Sequence, residues 1–167
     1  MASNRGPVAF EEVDGELVPR RGSGGLVTGL TSALQETGGR WVAAALTEGD
    51  RARAAEGAFT AEAEGAAYDL RYLAIEPERF ENHYNGFANR VLWFCHHYLW
   101  DLWRTPSFGP ETERWWAAYR AVNAEFADAL AAEAAAAGGA PAVLVQDYHL
   151  CLLPALLRER ARRVRVA

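Results

Sequence analysis

Hydrophobic positions in this chain fall into two kinds of stretch, short runs with the two-residue period of strands and longer ones with the 3.6-residue period of helices. Residues 8–10 and 17–19 flank Asp14-Gly15, and an Asp-Gly pair between short apolar runs signals a hairpin. Gly22-Ser23-Gly24-Gly25 then leads into an apolar-periodic segment over 26–34. That reads as a glycine-rich loop opening a helix, which Gly38-Gly39 ends. Residues 40–46 read as a strand. Residues 47–67 are rich in Ala, Glu and Gly with weak periodicity, and read as loop or irregular structure. Residues 68–75 alternate well enough for another strand. Pro77 suits the first position of a helix, expected over 76–98 with a break near Asn85-Gly86. Residues 105–110 read as a loop. Residues 113–137 carry helical spacing through Trp116, Tyr119, Val122, Asn123, Phe126 and Leu130, and Gly138-Gly139 stop them.

The sharpest transition is Ala142-Val143-Leu144-Val145-Gln146-Asp147-Tyr148-His149-Leu150. An apolar run ends in an acid, a phenol and an imidazole, and helical spacing of leucines follows at once. This predicts a buried strand, a polar turn and a helix to about residue 162. Val164-Arg165-Val166-Ala167 reads as the start of another strand. Strands alternating with helices predict an α/β fold, a Rossmann-like parallel sheet with crossover helices. In such sheets ligands bind beyond the carboxyl ends of the strands, where Asp147 and His149 stand. Residues 1–4 are too short for a first core strand, while Ser3-Asn4-Arg5 reads as the turn that would follow one. Both ends therefore raise the expectation of a piece of a larger protein.

Composition narrows the field. The 167 residues suffice for one domain with a real core, and half are apolar. The net charge of −5 gives no reason to expect a nucleic-acid partner. All seventeen basic residues other than His are Arg, so no Lys is available for catalysis in these residues. No apolar run approaches the roughly 20 residues that span a bilayer, and no signal peptide is visible, so a cytoplasmic setting without a membrane partner is expected. Cys95 and Cys151 lie in apolar helical contexts and are expected as buried, reduced thiols. No Cys/His spacing resembles a zinc site.

Three places can carry chemistry. The glycines at 22–25, ahead of a helix, can present backbone N–H groups to an anion, or can simply form a turn. They match neither a Walker loop nor the dinucleotide fingerprint. Arg5, expected near the same loop, is a fork donor suited to phosphate oxygens or an ordinary surface residue. Tyr84-Asn85-Gly86-Phe87-Ala88-Asn89-Arg90-Val91-Leu92-Trp93 sets a phenol, two amides and an indole along one helical stretch. Such groups orient sugar hydroxyls and cover a sugar ring, or else form an aromatic core seam. His96 and His97 read as structural, and Trp100, Trp103, Trp115 and Trp116 as packing residues. Asp147 and His149 can cap the following helix, act as acid and base, or hydrogen-bond a polar ligand. No Ser or Cys nucleophile has a convincing partner, Gly-x-Ser-x-Gly is absent, and no carboxylate pair suited to glycoside hydrolysis is evident.

Five segments in order carry a resemblance: Ser3-Asn4-Arg5-Gly6-Pro7-Val8; Gly24-Gly25-Leu26-Val27-Thr28-Gly29-Leu30; the 84–93 stretch; Trp116, Tyr119, Val122, Asn123, Phe126 and Ala127; and Val145-Gln146-Asp147-Tyr148-His149-Leu150 with Leu152-Leu153-Pro154. Together they resemble the N-terminal part of the trehalose-6-phosphate synthases, retaining glycosyltransferases of family 20. The resemblance implies a GT-B arrangement of two Rossmann-like domains facing a cleft. This chain would then be a partial acceptor-binding domain over 1–167, without the C-terminal nucleotide-sugar domain. It implies glucose transfer from a nucleotide-glucose to glucose 6-phosphate, with retention and with no metal or cofactor. By position in the motifs, Arg5 would contact the acceptor phosphate. Gly25 would offer its backbone N–H to the donor phosphate. Tyr84 and Trp93 would line the acceptor site. Asp147, the one candidate catalytic side chain, would hold a sugar hydroxyl. In such an enzyme the acceptor hydroxyl attacks on the face the leaving group departs from, and the protein acts by positioning and charge stabilisation.

The chain departs from the family pattern in three ways. Ala43, Ala44 and Ala45 stand where members often carry a second Trp after the one matching Trp41. Gln146 stands where many have His. The chain also ends before the strand whose loop carries a family His, so by itself it is expected to be inactive. A related transferase with another acceptor, of the glucosylglycerol-phosphate synthase or pseudoglycosyltransferase kind, is the nearest alternative. A catalytically silent sugar-phosphate-binding or regulatory domain is another. Homo-oligomerisation of the full-length protein stays open.

Overall fold

Asp14 and Gly15 both take positive φ, 53° and 81°. Such a pair makes the tight two-residue turn whose twist matches the flanking strands. It joins β2 (Val8–Val13) to β3 (Glu16–Arg21) in the expected hairpin. The computed structural model describes residues 1–22, 27, 29, 38–100 and 108–167. Gly25, Trp103, most of the helix expected over 26–34 and half of the loop expected over 105–110 lie outside the described residues. The chain divides into two units, Met1–Ala74 and Ile75–Ala167.

In the first unit, β1 (Ala2–Ser3), β4 (Arg40–Ala44), β6 (Ala66–Leu73) and β5 (Ala58–Ala63) form one sheet in that spatial order. The β1/β4 and β4/β6 pairs are parallel, whereas β5 runs antiparallel to β6. Trp41, Val42, Ala43 and Ala44 are all buried, as a strand covered on both faces requires. Three expectations are corrected here. Residues 1–4 do supply a core strand: two residues suffice because Ala2 and Ser3 are buried against Val42 and Ala43. Residues 47–67 are ordered, holding α1 (Glu48–Ala54), β5 and a Glu64-Gly65 turn with positive φ at both positions. The sheet is mixed, because that turn folds β5 back on β6. Alanine carries the inward positions of β5, Ala61 and Ala63, so its alternation with Glu and Thr gave little hydrophobic contrast.

The start of α1 is tied down by a capping box. Thr47 Oγ1 accepts the Asp50 N–H at 2.9 Å, while buried Asp50 accepts the N–H groups of Phe10, Leu46 and Thr47 at 2.8–3.1 Å. Phe10, Phe59 and Tyr72 meet edge-on with centroids 5.7–6.3 Å apart, and the Arg53 guanidinium lies over Phe59 at 4.4 Å.

In the second unit, α2 (Pro77–Glu81) runs into a π-helical segment, Asn82–Leu92, and then α3 (Trp93–His96). The break expected at Asn85-Gly86 does not occur. The chain instead widens its turns, as the Trp93 N–H bonding to Ala88 O shows. Gly86 is required by packing: a Cβ there would lie 2.6 Å from Cγ and Cδ1 of Trp115. Next comes α4 (Pro110–Ala137), which ends at Gly138 and Gly139, both at φ 69°. β7 (Ala142–Val143) and β8 (Arg165–Val166) pair in parallel, apart from the four-stranded sheet. Between them α5 (Leu153–Arg160) buries Leu153 and Leu157 completely, as α4 buries Val122 and Phe126. Each such side chain contributes about 1.5–3 kcal/mol. Cys95 and Cys151 are free thiols, as expected, but both are exposed rather than buried.

Candidate functional site

In the first unit the candidate anion site begins at Arg5. Ser3 Oγ donates to Arg5 O at 2.6 Å and accepts from Trp41 Nε1 at the same distance. Buried Trp41 thus steadies the Arg5 peptide. The Arg5 residue itself is exposed. Gly22 donates its N–H to Pro7 O at 2.7 Å, and a Cβ on Gly22 would come 3.1 Å from Gly6 O. The structure therefore brings the first residue of the glycine-rich loop against Gly6 and Pro7, which follow Arg5 in the chain. Gly6 in turn packs on the Tyr72 ring, where a Cβ would lie 2.6 Å from Cε1. The Tyr72 hydroxyl donates to Val8 O, and burial pushes its pKa up.

In the second unit the strand-end turn is held in an unusual backbone state. Asp147 has φ 75° and ψ 161°, a region essentially reserved for glycine. Its Oδ1 accepts the Tyr148 N–H at 2.8 Å, and its Oδ2 lies 3.3 Å from His149 Nδ1. The Asp147 side chain is 47% exposed, whereas that of His149 is 8% exposed. A ligand can reach the acid but not the imidazole.

Two residues of α4 hold this turn from beneath. The Tyr119 hydroxyl donates to Tyr148 O at 2.6 Å and accepts the Cys151 N–H at 3.0 Å. Asn123 Nδ2 donates to His149 O at 3.1 Å, and its Oδ1 accepts the N–H groups of Leu152 and Leu153 at 3.2 and 3.1 Å. Asn123 thus satisfies both N–H groups at the start of α5, which lacks a side-chain N-cap. Sequence reading placed Tyr119 and Asn123 in a motif but assigned them no task. The available signal was an amide within an apolar helical stripe, because a buried amide needs partners.

Tyr84 reaches the same place from the π-helical segment. Its ring stacks on His149 at 5.1 Å and 20°, and on Phe80 at 5.7 Å and 10°. Tyr148 stacks on His149 at 4.2 Å and donates its hydroxyl to Asn89 Oδ1 at 2.8 Å. Its pKa is pushed up to about 12 by burial first, then by the Asp147 charge. Fully buried His83 stacks on Tyr119 at 5.2 Å. Burial, and after it the nearby His149, lowers its pKa to about 3, so it is neutral. Of the predicted site residues in this unit, Tyr84 and Asp147 are brought together through His149. Trp93 finds other ring partners, His97 at 4.3 Å and Phe94 at 5.0 Å. Among the described residues no three His, Cys, Asp or Glu side chains converge to hold a metal ion.

The turn and its aromatic column suit recognition of a polyhydroxylated ring, with an acid for hydroxyls and a phenol alongside. The model of glycosyltransferase family 20 matches residues 1–167. The chain belongs to that family. Family 20 relatives agree over nearly its whole length. Trehalose-6-phosphate synthase of Mycobacterium avium is 36% identical over 161 residues, covering 95% of this chain and 30% of that protein. Validamine 7-phosphate valienyltransferase of Streptomyces hygroscopicus subsp. jinggangensis is 30% identical over 168 residues, covering 96% of this chain and 33% of that protein. The chain thus spans about a third of the length of the curated relatives it matches. Among solved structures, the α,α-trehalose-phosphate synthase (UDP-forming) of Burkholderia vietnamiensis superposes with a TM-score of 0.61 at 26% identity, covering 86% of this chain and 29% of that one. The α/β fold class is that of these family 20 enzymes.

Proposed function

We propose that these residues form the acceptor-binding part of a retaining glucosyltransferase that moves glucose from a nucleotide-glucose to glucose 6-phosphate, yielding trehalose 6-phosphate. The observation that carries this reading is Asp147, a half-exposed carboxylate held in glycine-like backbone geometry against His149, on which Tyr84 stacks, in a family 20 chain. Strain of this kind gathers at ligand-binding positions. Asp147 accepts a hydrogen bond from a sugar hydroxyl, Tyr84 and Trp93 line the acceptor, and Arg5 and the Gly25 N–H take phosphate charge. These groups act by placing the acceptor hydroxyl and screening charge, with no covalent step and no resident cofactor or metal. Identity to the synthase, 36% against 30% for the valienyltransferase, puts glucose 6-phosphate ahead of another acceptor. No helix among the described residues is long and apolar enough to cross a membrane. A cytoplasmic setting, independence of membranes and nucleic acid, and homo-oligomerisation of the full-length protein belong to the same proposal.

The test is titration of the chain with glucose 6-phosphate, glycerol 3-phosphate and inorganic phosphate, followed by calorimetry and by amide shifts. Glucose 6-phosphate binds tightest, and Asp147→Ala weakens it about tenfold, the value of one charge-assisted hydrogen bond. The same variant leaves inorganic phosphate binding unchanged, and Arg5→Gln weakens both. Equal affinity for glycerol 3-phosphate and glucose 6-phosphate refutes the assignment of the acceptor.

A further inference from the structure

Asp147 and Tyr84 come from separate elements, the turn after β7 and the π-helical segment, and one buried side chain touches both. His149 presents Nδ1 to Asp147 Oδ2 at 3.3 Å, and its ring lies nearly parallel to that of Tyr84, 5.1 Å away. Each is itself secured. Tyr84 is backed by Phe80, stacked at 5.7 Å. The His149 ring is backed by Tyr148 at 4.2 Å, and its carbonyl is held by Asn123 Nδ2 at 3.1 Å. With a side chain only 8% exposed, His149 has no face to offer a ligand.

We propose that His149 is a positioning residue for acceptor selectivity: it fixes the plane of the Asp147 carboxylate against the Tyr84 ring. This rests on the acceptor-site reading above and deepens it. A carboxylate free to rotate accepts a hydrogen bond from hydroxyls in many positions. The Asp147 carboxylate accepts the Tyr148 N–H at Oδ1, and its Oδ2 rests against His149 Nδ1 at 3.3 Å, a close polar contact without hydrogen-bond alignment. Its remaining lone pairs therefore point in set directions, and only a ring with a hydroxyl in the matching place satisfies them. Preorganised polar groups reject an analogue lacking the matching hydroxyl, because their partner is then missing. The stack with Tyr84 extends this control to the ring that lies beside the sugar.

The experiment compares glucose 6-phosphate with its 2-, 3- and 4-deoxy analogues on the wild-type chain, Asp147→Ala, His149→Phe and His149→Asn. In the wild type at least one analogue binds about tenfold or more weakly than the parent, and Asp147→Ala removes that ratio. His149→Phe keeps a stacking ring but loses Nδ1. It lowers the same ratio to about two- to threefold and leaves inorganic phosphate binding unchanged. His149→Asn, whose amide nitrogen replaces Nδ1, restores the ratio towards wild type. An undiminished ratio in His149→Phe overturns the positioning role alone, because glucose 6-phosphate is then still recognised through Asp147. A ratio in His149→Asn as low as that of Asp147→Ala also overturns it, even if His149→Phe does not fold. A folded wild type that binds no glucose 6-phosphate overturns the acceptor-site reading, and this proposal with it.

Discussion

Asp147 occupies backbone space where a Cβ is unwelcome, at φ 75° and ψ 161°. Holding a non-glycine residue there costs of the order of 1–3 kcal/mol. Asp147→Gly and Asp147→Ala both delete the carboxylate, which accepts the Tyr148 N–H at 2.8 Å and lies 3.3 Å from His149 Nδ1. At a half-exposed position that loss is about 0.5–1.5 kcal/mol in either variant, so it cancels between them. Only the alanine keeps the Cβ and its strain. Only the glycine pays extra chain entropy on folding, about 0.5–1 kcal/mol. Taking the middle of each range, the difference leaves Asp147→Gly more stable than Asp147→Ala by roughly 1 kcal/mol. In an ordinary helix or strand the order is the reverse. Urea and thermal unfolding followed by circular dichroism read this directly, each kcal/mol moving the midpoint by about 2–4 °C in a chain of this size. Both variants lose selective sugar-phosphate binding, so the glycine variant separates stability from recognition. An Asp147→Ala midpoint equal to or above that of Asp147→Gly refutes the strain.

Three further outcomes follow from the same unit. His83 stays neutral in the folded state down to pH about 3, while the unfolded chain takes up its proton below the usual 6.5, so stability falls as the pH drops through that window. The loss between pH 7 and pH 5 is about 2 kcal/mol from this residue, and His83→Phe removes it, seen as a flatter plot of urea midpoint against pH. Gly86→Ala drives a Cβ to 2.6 Å from the Trp115 ring and costs about 1–3 kcal/mol by urea unfolding; a second change, Trp115→Leu, recovers part of it. Asn123→Ala orphans the Leu152 and Leu153 N–H groups, costs about 1–3 kcal/mol, and weakens glucose 6-phosphate binding because the turn carrying Asp147 slackens.

Local chemistry was legible in the sequence. Asp14-Gly15 marked a hairpin and Gly138-Gly139 a helix stop, because positive φ is decided within a residue or two of chain. The polar turn and helix around Asp147 were visible because an apolar run changed period there, but the strand before them is shorter and less buried than expected: of Ala142, Val143 and Leu144 only Val143 is buried. The family could be recognised from motif order alone. What escaped depended on partners distant in sequence. The alanine strand β5 has weak contrast and exists because β6 offers it a ladder. The two residues of β1 count as a strand only beside β4. Within the π-helical run Gly86 packs closely on Trp115, a contact between distant residues that no local propensity records. The site divides in the same way. Sequence alone marked Asp147 and Tyr84 as candidate sugar contacts. That His149 joins them, and that Tyr119 and Asn123 of α4 hold the turn in a backbone state that Asp would not choose, was decided only by tertiary packing. A strained conformation costs energy locally, and only hydrogen bonds and stacked rings supplied by other elements offset it.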